Sequence, residues 1–168
     1  PAPRSRAEGD RRLVLPTNAP ILVVDDEPML RRVVARELRG EYVIIECDDG
    51  AEAIAKLGES RDVAAVITDL DMPPGPDGIE VLAEARRRHP GALRILMSGR
   101  ATPEDMEQAV QDGLVLRFFQ KPWPTGELAK VVRDALAAPA AAHEETIPAT
   151  EVQSSDWFWR VAWRLCQN

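Results

Sequence analysis

Apolar residues recur along this chain in two rhythms. Ile21-Leu22-Val23-Val24 is a continuous apolar run ending on Asp25-Asp26. A short run of this kind suits a strand buried on both faces of a parallel sheet. Four more runs follow, at Tyr42 to Cys47, Val63 to Thr68, Leu93 to Met97 and Val115 to Phe119. Between them the rhythm is helical. Leu30, Val33, Val34 and Leu38 fall at i, i+3, i+4 and i+8, and Gly40 stands where a C-terminal capping glycine belongs. Ala51, Ile54, Ala55 and Leu57 predict a second helix capped by Asp49, and Ile79, Val81, Leu82 and Ala85 a third, closed by Pro90. A fourth opens at Thr102-Pro103-Glu104-Asp105, with Thr102 as the cap, Pro103 at the first helical position and Asp105 at the positive end of the dipole. Met106, Ala109 and Val110 give it an inner face, and Leu128, Val131, Val132, Ala135 and Leu136 mark a fifth helix.

A strand followed by a helix, five times over, requires crossover connections. The predicted fold is therefore α/β: a doubly wound, five-stranded parallel sheet of order 2-1-3-4-5, flavodoxin-like, with helices on both faces. A four-stranded variant and an incomplete dinucleotide-binding half are the alternatives. No G-x-G-x-x-G follows the first strand, which weakens the second of these.

The ends of the chain differ from its middle. Residues 1–19 read as a disordered lead, with Arg4, Arg6, Arg11 and Arg12 on a solvated tail rather than at a partner contact. The repeating unit spans residues 20–138. Residues 139–155, rich in Ala, Glu, Thr and Pro, read as a linker. Residues 156–168 form a Trp-rich amphipathic tail, in which Asp156, Arg160 and Arg164 would make one polar stripe on a helix. That tail could fold back on the domain, dock a partner or a second copy, rest on a membrane surface, or be a non-native end.

Composition narrows the chemistry. The 168 residues carry a net charge of −7. An acidic chain does not displace counterions from nucleic acid, and the tail is too short for an ordinary helix-turn-helix domain, so direct DNA binding is not expected. Cys47 and Cys166 suggest no disulfide framework, and a reducing cytoplasm is the expected location. No apolar run is long enough to span a membrane, and the N-terminal residues lack the apolar core of a secretory signal.

In an open parallel sheet, ligands bind at the carboxyl ends of the strands, where the strand order reverses. The first strand ends in Asp25-Asp26, the third in Asp69, the fourth in Ser98 and the fifth in Lys121-Pro122. Each residue alone is an ordinary polar loop residue; their agreement across four strand ends is not. Converging carboxylates repel one another unless a cation is present, and an oxygen-rich site suits Mg²⁺. Lys121 and the Ser98 hydroxyl add a positive charge and a hydrogen-bond donor. These are the parts of phosphoryl transfer, with Asp69 as the central nucleophile.

Over about residues 19–138 the sequence resembles a response-regulator receiver domain of two-component signalling. The match is carried by ILVVDDEP (21–28), VITDLDMP (66–73), DGIEVL (77–82), ILMSGR (95–100) and FFQKPW (118–123). The resemblance implies that Asp69 is the phospho-acceptor, served by a histidine kinase or phosphotransfer protein. It implies that Asp26 binds Mg²⁺ directly and Asp25 mainly through water, with Asp69 itself and the Asp71 main-chain carbonyl as further ligands. Ser98 would move to the phosphoryl group, Lys121 would pair with it, and Phe118 would be the aromatic switch. A cis Lys121-Pro122 bond is implied too. The output would be altered binding of a partner, for which residues 156–168 are a candidate, or a homodimer. Beyond its own phosphorylation and dephosphorylation the domain would not be an enzyme.

The chain departs from the family pattern in three places. The loop Met72 to Gly78 is one residue longer than usual. Asp71 adds a carboxylate expected to face solvent, and Phe118 lacks a hydroxyl, so a switch there would act by packing. The rival readings are a degenerate receiver that binds partners without phosphorylation, and a phosphatase using Asp69-Leu70-Asp71 as an Asp-x-Asp pair. Elsewhere, Arg86 to His89 reads as a solvated helix end, Cys47 as a buried strand residue, and Trp123 as packing near the switch face or touching a partner. His89 and His143 have no triad or metal spacing.

Overall fold

The structure, a computed structural model, describes residues 19–100 and 113–137. The helix expected from Thr102, most of the lead, the linker and the Trp-rich tail lie outside the described residues. The elements run β1 (Ile21–Val24), α1 (Pro28–Leu38), β2 (Ile44–Cys47), α2 (Gly50–Glu59), β3 (Ala65–Asp69), α3 (Gly78–Arg88), β4 (Leu93–Ser98), β5 (Arg117–Gln120) and α4 (Glu127–Ala137). Among the described residues the sheet has five strands in the order β2-β1-β3-β4-β5, with every neighbouring pair parallel. This is the predicted topology, and the last helical pattern of the sequence is α4.

Strand alternation divides the core into two layers. Leu22, Val24, Val66, Leu96 and Phe118 pack with Ala53 and Leu57 of α2 and with Val81, Leu82 and Ala85 of α3. Ile21, Val23, Ile67, Ile95, Met97 and Phe119 pack with Val34 and Leu38 of α1 and with Leu128, Val131 and Val132 of α4. All four residues of β1 are fully buried, as its unbroken apolar run requires.

Local chemistry sets the helix ends that position the loops. Pro28 opens α1, where a missing N–H costs nothing. Gly40, with φ of 92°, lets the chain turn away just beyond it. Asp49 caps α2 by accepting the Glu52 N–H at 2.7 Å. Asp77 and Glu80 form a reciprocal capping box at the start of α3, at 2.9 and 3.0 Å. Asp77→Ala is expected to lower stability by about 1 kcal/mol. Urea unfolding of the variant checks this, and a midpoint equal to wild type would contradict it.

Some boundaries differ from the sequence reading. Tyr42 and Val43 precede β2: Tyr42 makes an isolated bridge with Arg39, and Val43 is 53% exposed. Here β2 is an edge strand, so these residues gain no partner on the outer side. In α2 the buried alanine is Ala53, whereas Ala51 and Ala55 face solvent. Alanine is too small to mark a face by itself. β4 runs on through Ser98 and β3 through Asp69, so both strands deliver those side chains to the sheet's end.

Candidate functional site

The carboxyl ends of β1, β3, β4 and β5 bring the polar residues together. Parallel register does this: Val24 lies beside Thr68, Asp69 beside Met97, and Ser98 beside Gln120. The first polar residue past β1 therefore falls next to the last residue of β3. Asp25 is fully buried. Its Oδ1 accepts the Glu27 N–H at 2.8 Å, and its Oδ2 accepts from Lys121 Nζ at 2.7 Å. The same Nζ stands 2.9 Å from Asp69 Oδ1. Asp26 is exposed, yet oxygens of Asp25, Asp26 and Asp69 all lie within 4.8 Å of one another.

Three carboxylates against one ammonium leave surplus negative charge. That surplus, offered entirely by oxygens, is the donor set of a hard divalent cation, and this cluster can hold a metal. The charges act on one another. Burial raises the Asp69 carboxyl above its ordinary range, against the opposing pull of Lys121. Burial works to lower the Lys121 ammonium, but its bonds to Asp25 and Asp69 outweigh burial and raise it. Lys121 thus stays charged where the site needs a cation.

The remaining residues flank this centre. Ser98 is buried, and its hydroxyl accepts the Arg100 N–H at 3.0 Å. The Lys121 N–H donates to the Ser98 carbonyl at 2.9 Å, tying the two strand ends together. Phe118 is buried in register with Leu96. Asp71 is exposed, as expected for its side chain. The Lys121-Pro122 and Pro73-Pro74 bonds are cis. Trp123 packs edge-on against Phe119 at 6.3 Å between ring centres, in the layer opposite Phe118. Its packing therefore lies on the other face of the sheet from the switch residue. Cys47 is buried, and desolvation pushes its thiol up to about 12, so it is inert. His89 is also buried, with Nε2 3.0 Å from the Leu57 carbonyl, a tie between α2 and α3.

Two features were missed in the sequence. Arg31 reaches back from α1 to the Asp25 carbonyl at 2.5 Å. Gly50 and Gly78 are close contact points for the end of β3 and the loop after it: a Cβ on Gly50 would lie 2.1 Å from the oxygen of Pro76 in the loop, and one on Gly78 2.1 Å from the oxygen of Asp69, the last residue of β3. The glycine before a helical pattern was a signal for the second, and an arginine early in a helix for the first.

Residues 21–133 match the response regulator receiver domain. The chain belongs to that family. Receiver domains are the signalling modules of two-component systems, as the resemblance implied. The receiver is 34% identical over 120 residues to the hydrogenase transcriptional regulatory protein HoxA of Cupriavidus necator, covering 71% of this chain and 24% of that protein. It is 33% identical over 128 residues to the transcriptional regulatory protein GlrR of Escherichia coli, covering 76% of this chain and 28% of that protein. The chain thus spans about a quarter of the length of these curated relatives. Among solved structures, it resembles the signal receiver domain of an HD domain-containing protein from Pseudomonas fluorescens Pf-5. That likeness has a TM-score of 0.64 and 29% identity, over 71% of this chain and 95% of the other. A response regulator receiver protein from Sinorhizobium medicae matches with a TM-score of 0.63 and 27% identity, over 72% and 96% of the two chains. No helix among the described residues is long and apolar enough to cross a membrane.

Proposed function

We propose that this receiver takes a phosphoryl group on Asp69 from the phosphohistidine of a kinase or phosphotransfer protein, in the cytoplasm. The observation that carries the reading is Lys121 bonded to both Asp25 and Asp69 beside a three-carboxylate cluster. An Asp69 carboxylate oxygen attacks phosphorus, the P–N bond of the donor breaks, and the departing imidazole takes a proton. The product is an acyl phosphate. Asp25, Asp26, Asp69 and the Asp71 carbonyl are the residues that would hold Mg²⁺, which when bound offsets charge on the phosphoryl oxygens. Lys121 pairs with a second phosphoryl oxygen. Ser98 turns its hydroxyl to a third, and Phe118 follows into the space left behind. The altered surface changes the binding of an output partner or a second copy, for which residues 156–168 are a candidate contact.

The test is intact mass after incubation with acetyl phosphate, with and without Mg²⁺, for wild type and Asp69→Asn. The expected result is a base-labile phosphoryl adduct in wild type with Mg²⁺ and none in Asp69→Asn; an adduct persisting in the variant moves the acceptor elsewhere. Asp71→Ala should label normally, since its side chain is exposed; loss of turnover there would favour the Asp-x-Asp phosphatase. The raised carboxyl of Asp69 adds a pH signature without metal. A carboxyl whose folded pKa is raised is held more firmly protonated in the fold, so its ionisation costs stability as pH rises through that pKa. The stability of Asp69→Asn relative to wild type should therefore increase across the carboxylate range, read by thermal unfolding from pH 3 to 7 in EDTA.

A further inference from the structure

We infer that Arg31 is a positioning residue that presets the Asp25-Asp26 pair for a divalent cation, an inference that rests on the metal-assisted reading above. β1 ends its ladder at Val24, so the Asp25 carbonyl lies past the last paired residue. Arg31 Nη1 donates to that carbonyl at 2.5 Å. Glu46 of β2, itself 43% exposed, stands 3.9 Å from Arg31 Nε in a loose ion pair, and the Arg31 side chain is only 15% exposed.

The location is unfavourable for a cation on general grounds. Arg31 is the fourth residue of α1, near the positive end of the helix dipole, where an acid would stabilise the helix. A guanidinium half-buried there is offset by what it holds. The Asp25 carbonyl and the Asp26 N–H belong to one rigid peptide plane. Clamping the carbonyl fixes the plane from which the Asp26 side chain departs. The Asp25 side chain is already fixed by the Glu27 N–H and Lys121. The Asp25 side chain and the backbone that carries Asp26 are thus ordered before any cation arrives, and less ordering is left to be done on binding. Arg31 makes its contacts with the Asp25 main chain and Glu46, so it acts through the acidic pair and not on the phosphoryl group.

The experiment compares wild type, Arg31→Met and Arg31→Lys as full chains. Calorimetric titration with MgCl₂ should show affinity about tenfold weaker in Arg31→Met, with Arg31→Lys intermediate. In metal-free protein, amide exchange at Glu27 should be faster in Arg31→Met. At saturating Mg²⁺, the rate of Asp69 labelling by acetyl phosphate should return to within about twofold of wild type. Wild-type Mg²⁺ affinity in Arg31→Met overturns the inference, and so does a labelling defect that saturating Mg²⁺ does not repair. Should Arg31→Met fail to fold, Arg31→Gln replaces it, and equal affinities in the Gln and Lys variants overturn the inference. A wild type that binds Mg²⁺ without labelling at Asp69 removes the phosphoryl reading and leaves Arg31 to be judged by affinity. If wild type takes up no Mg²⁺, the metal reading falls, and the role of Arg31 in presetting the site for a cation falls with it.

Discussion

Gly78→Ala is expected to cost about 3 kcal/mol of stability and most of the phosphoryl uptake at Asp69. Gly78 opens α3 directly over the end of β3. An added Cβ would sit 2.1 Å from the Asp69 oxygen, 2.9 Å from its carbonyl carbon and 3.0 Å from Leu96 Cδ1. None of these can give way cheaply. The Asp69 carbonyl is strand backbone, it accepts the Thr68 hydroxyl at 2.9 Å, and Leu96 is buried in the core. Either α3 lifts from the sheet or Asp69 shifts, and both outcomes damage the site. Gly50→Ala is the control. Its Cβ would be equally close to the Pro76 oxygen, but Pro76 lies in a half-exposed loop that can move. That variant should lose about 1 kcal/mol. Urea unfolding and acetyl phosphate labelling of the two variants settle the comparison; equal losses would mean that the backbone of β3 yields as readily as the loop.

Lys121→Met should lower metal-free stability by about 3 kcal/mol at neutral pH. The substitution keeps the aliphatic stem and removes the charge between Asp25 and Asp69, whose side chains are 1% and 13% exposed. Two buried carboxylates then face each other without a counter-charge. Without the lysine's opposing pull the already raised carboxyl of Asp69 rises further, so the loss is greatest above its folded pKa and shrinks as pH falls through it. Saturating Mg²⁺ should also recover much of the loss. The corresponding drop in melting temperature is roughly 10 °C. A deficit independent of both pH and Mg²⁺ would show that the lysine contributes by packing rather than charge.

The sheet was legible because its central strands β1, β3 and β4 are short, largely apolar runs buried on both faces, and such runs have few other homes. Strand order followed from the five-fold alternation of strand and helix, for which the doubly wound order 2-1-3-4-5 is the usual solution. Asp49 as a cap and Gly40 as a terminator were equally legible, since both act on neighbours in sequence. What escaped depends on contacts across space. The buried face of α2 was misjudged because alanines do not distinguish faces. Trp123 follows Lys121-Pro122, yet its ring packs on Phe119 in the opposite layer from Phe118. Arg31 looked like any helix arginine until the fold placed the Asp25 carbonyl within its reach. The strand ends named the residues Asp25, Asp26, Asp69 and Lys121; that one ammonium serves two carboxylates became visible only in three dimensions.

Lys121 and Asp25 are separated by 96 positions in sequence. A ribosome makes the chain in that direction, so the acidic pair emerges roughly 5–20 s before its counter-charge. Through that interval the acids of the unfinished chain lack the lysine that joins them in the finished fold, and their mutual repulsion resists closing the end of the sheet. The last strand brings the lysine, and with it the permission to close. The same ion pair therefore ranks finished chains above unfinished ones: a fragment that stops short of β5 carries every acid of the site and lacks the residue that reconciles them.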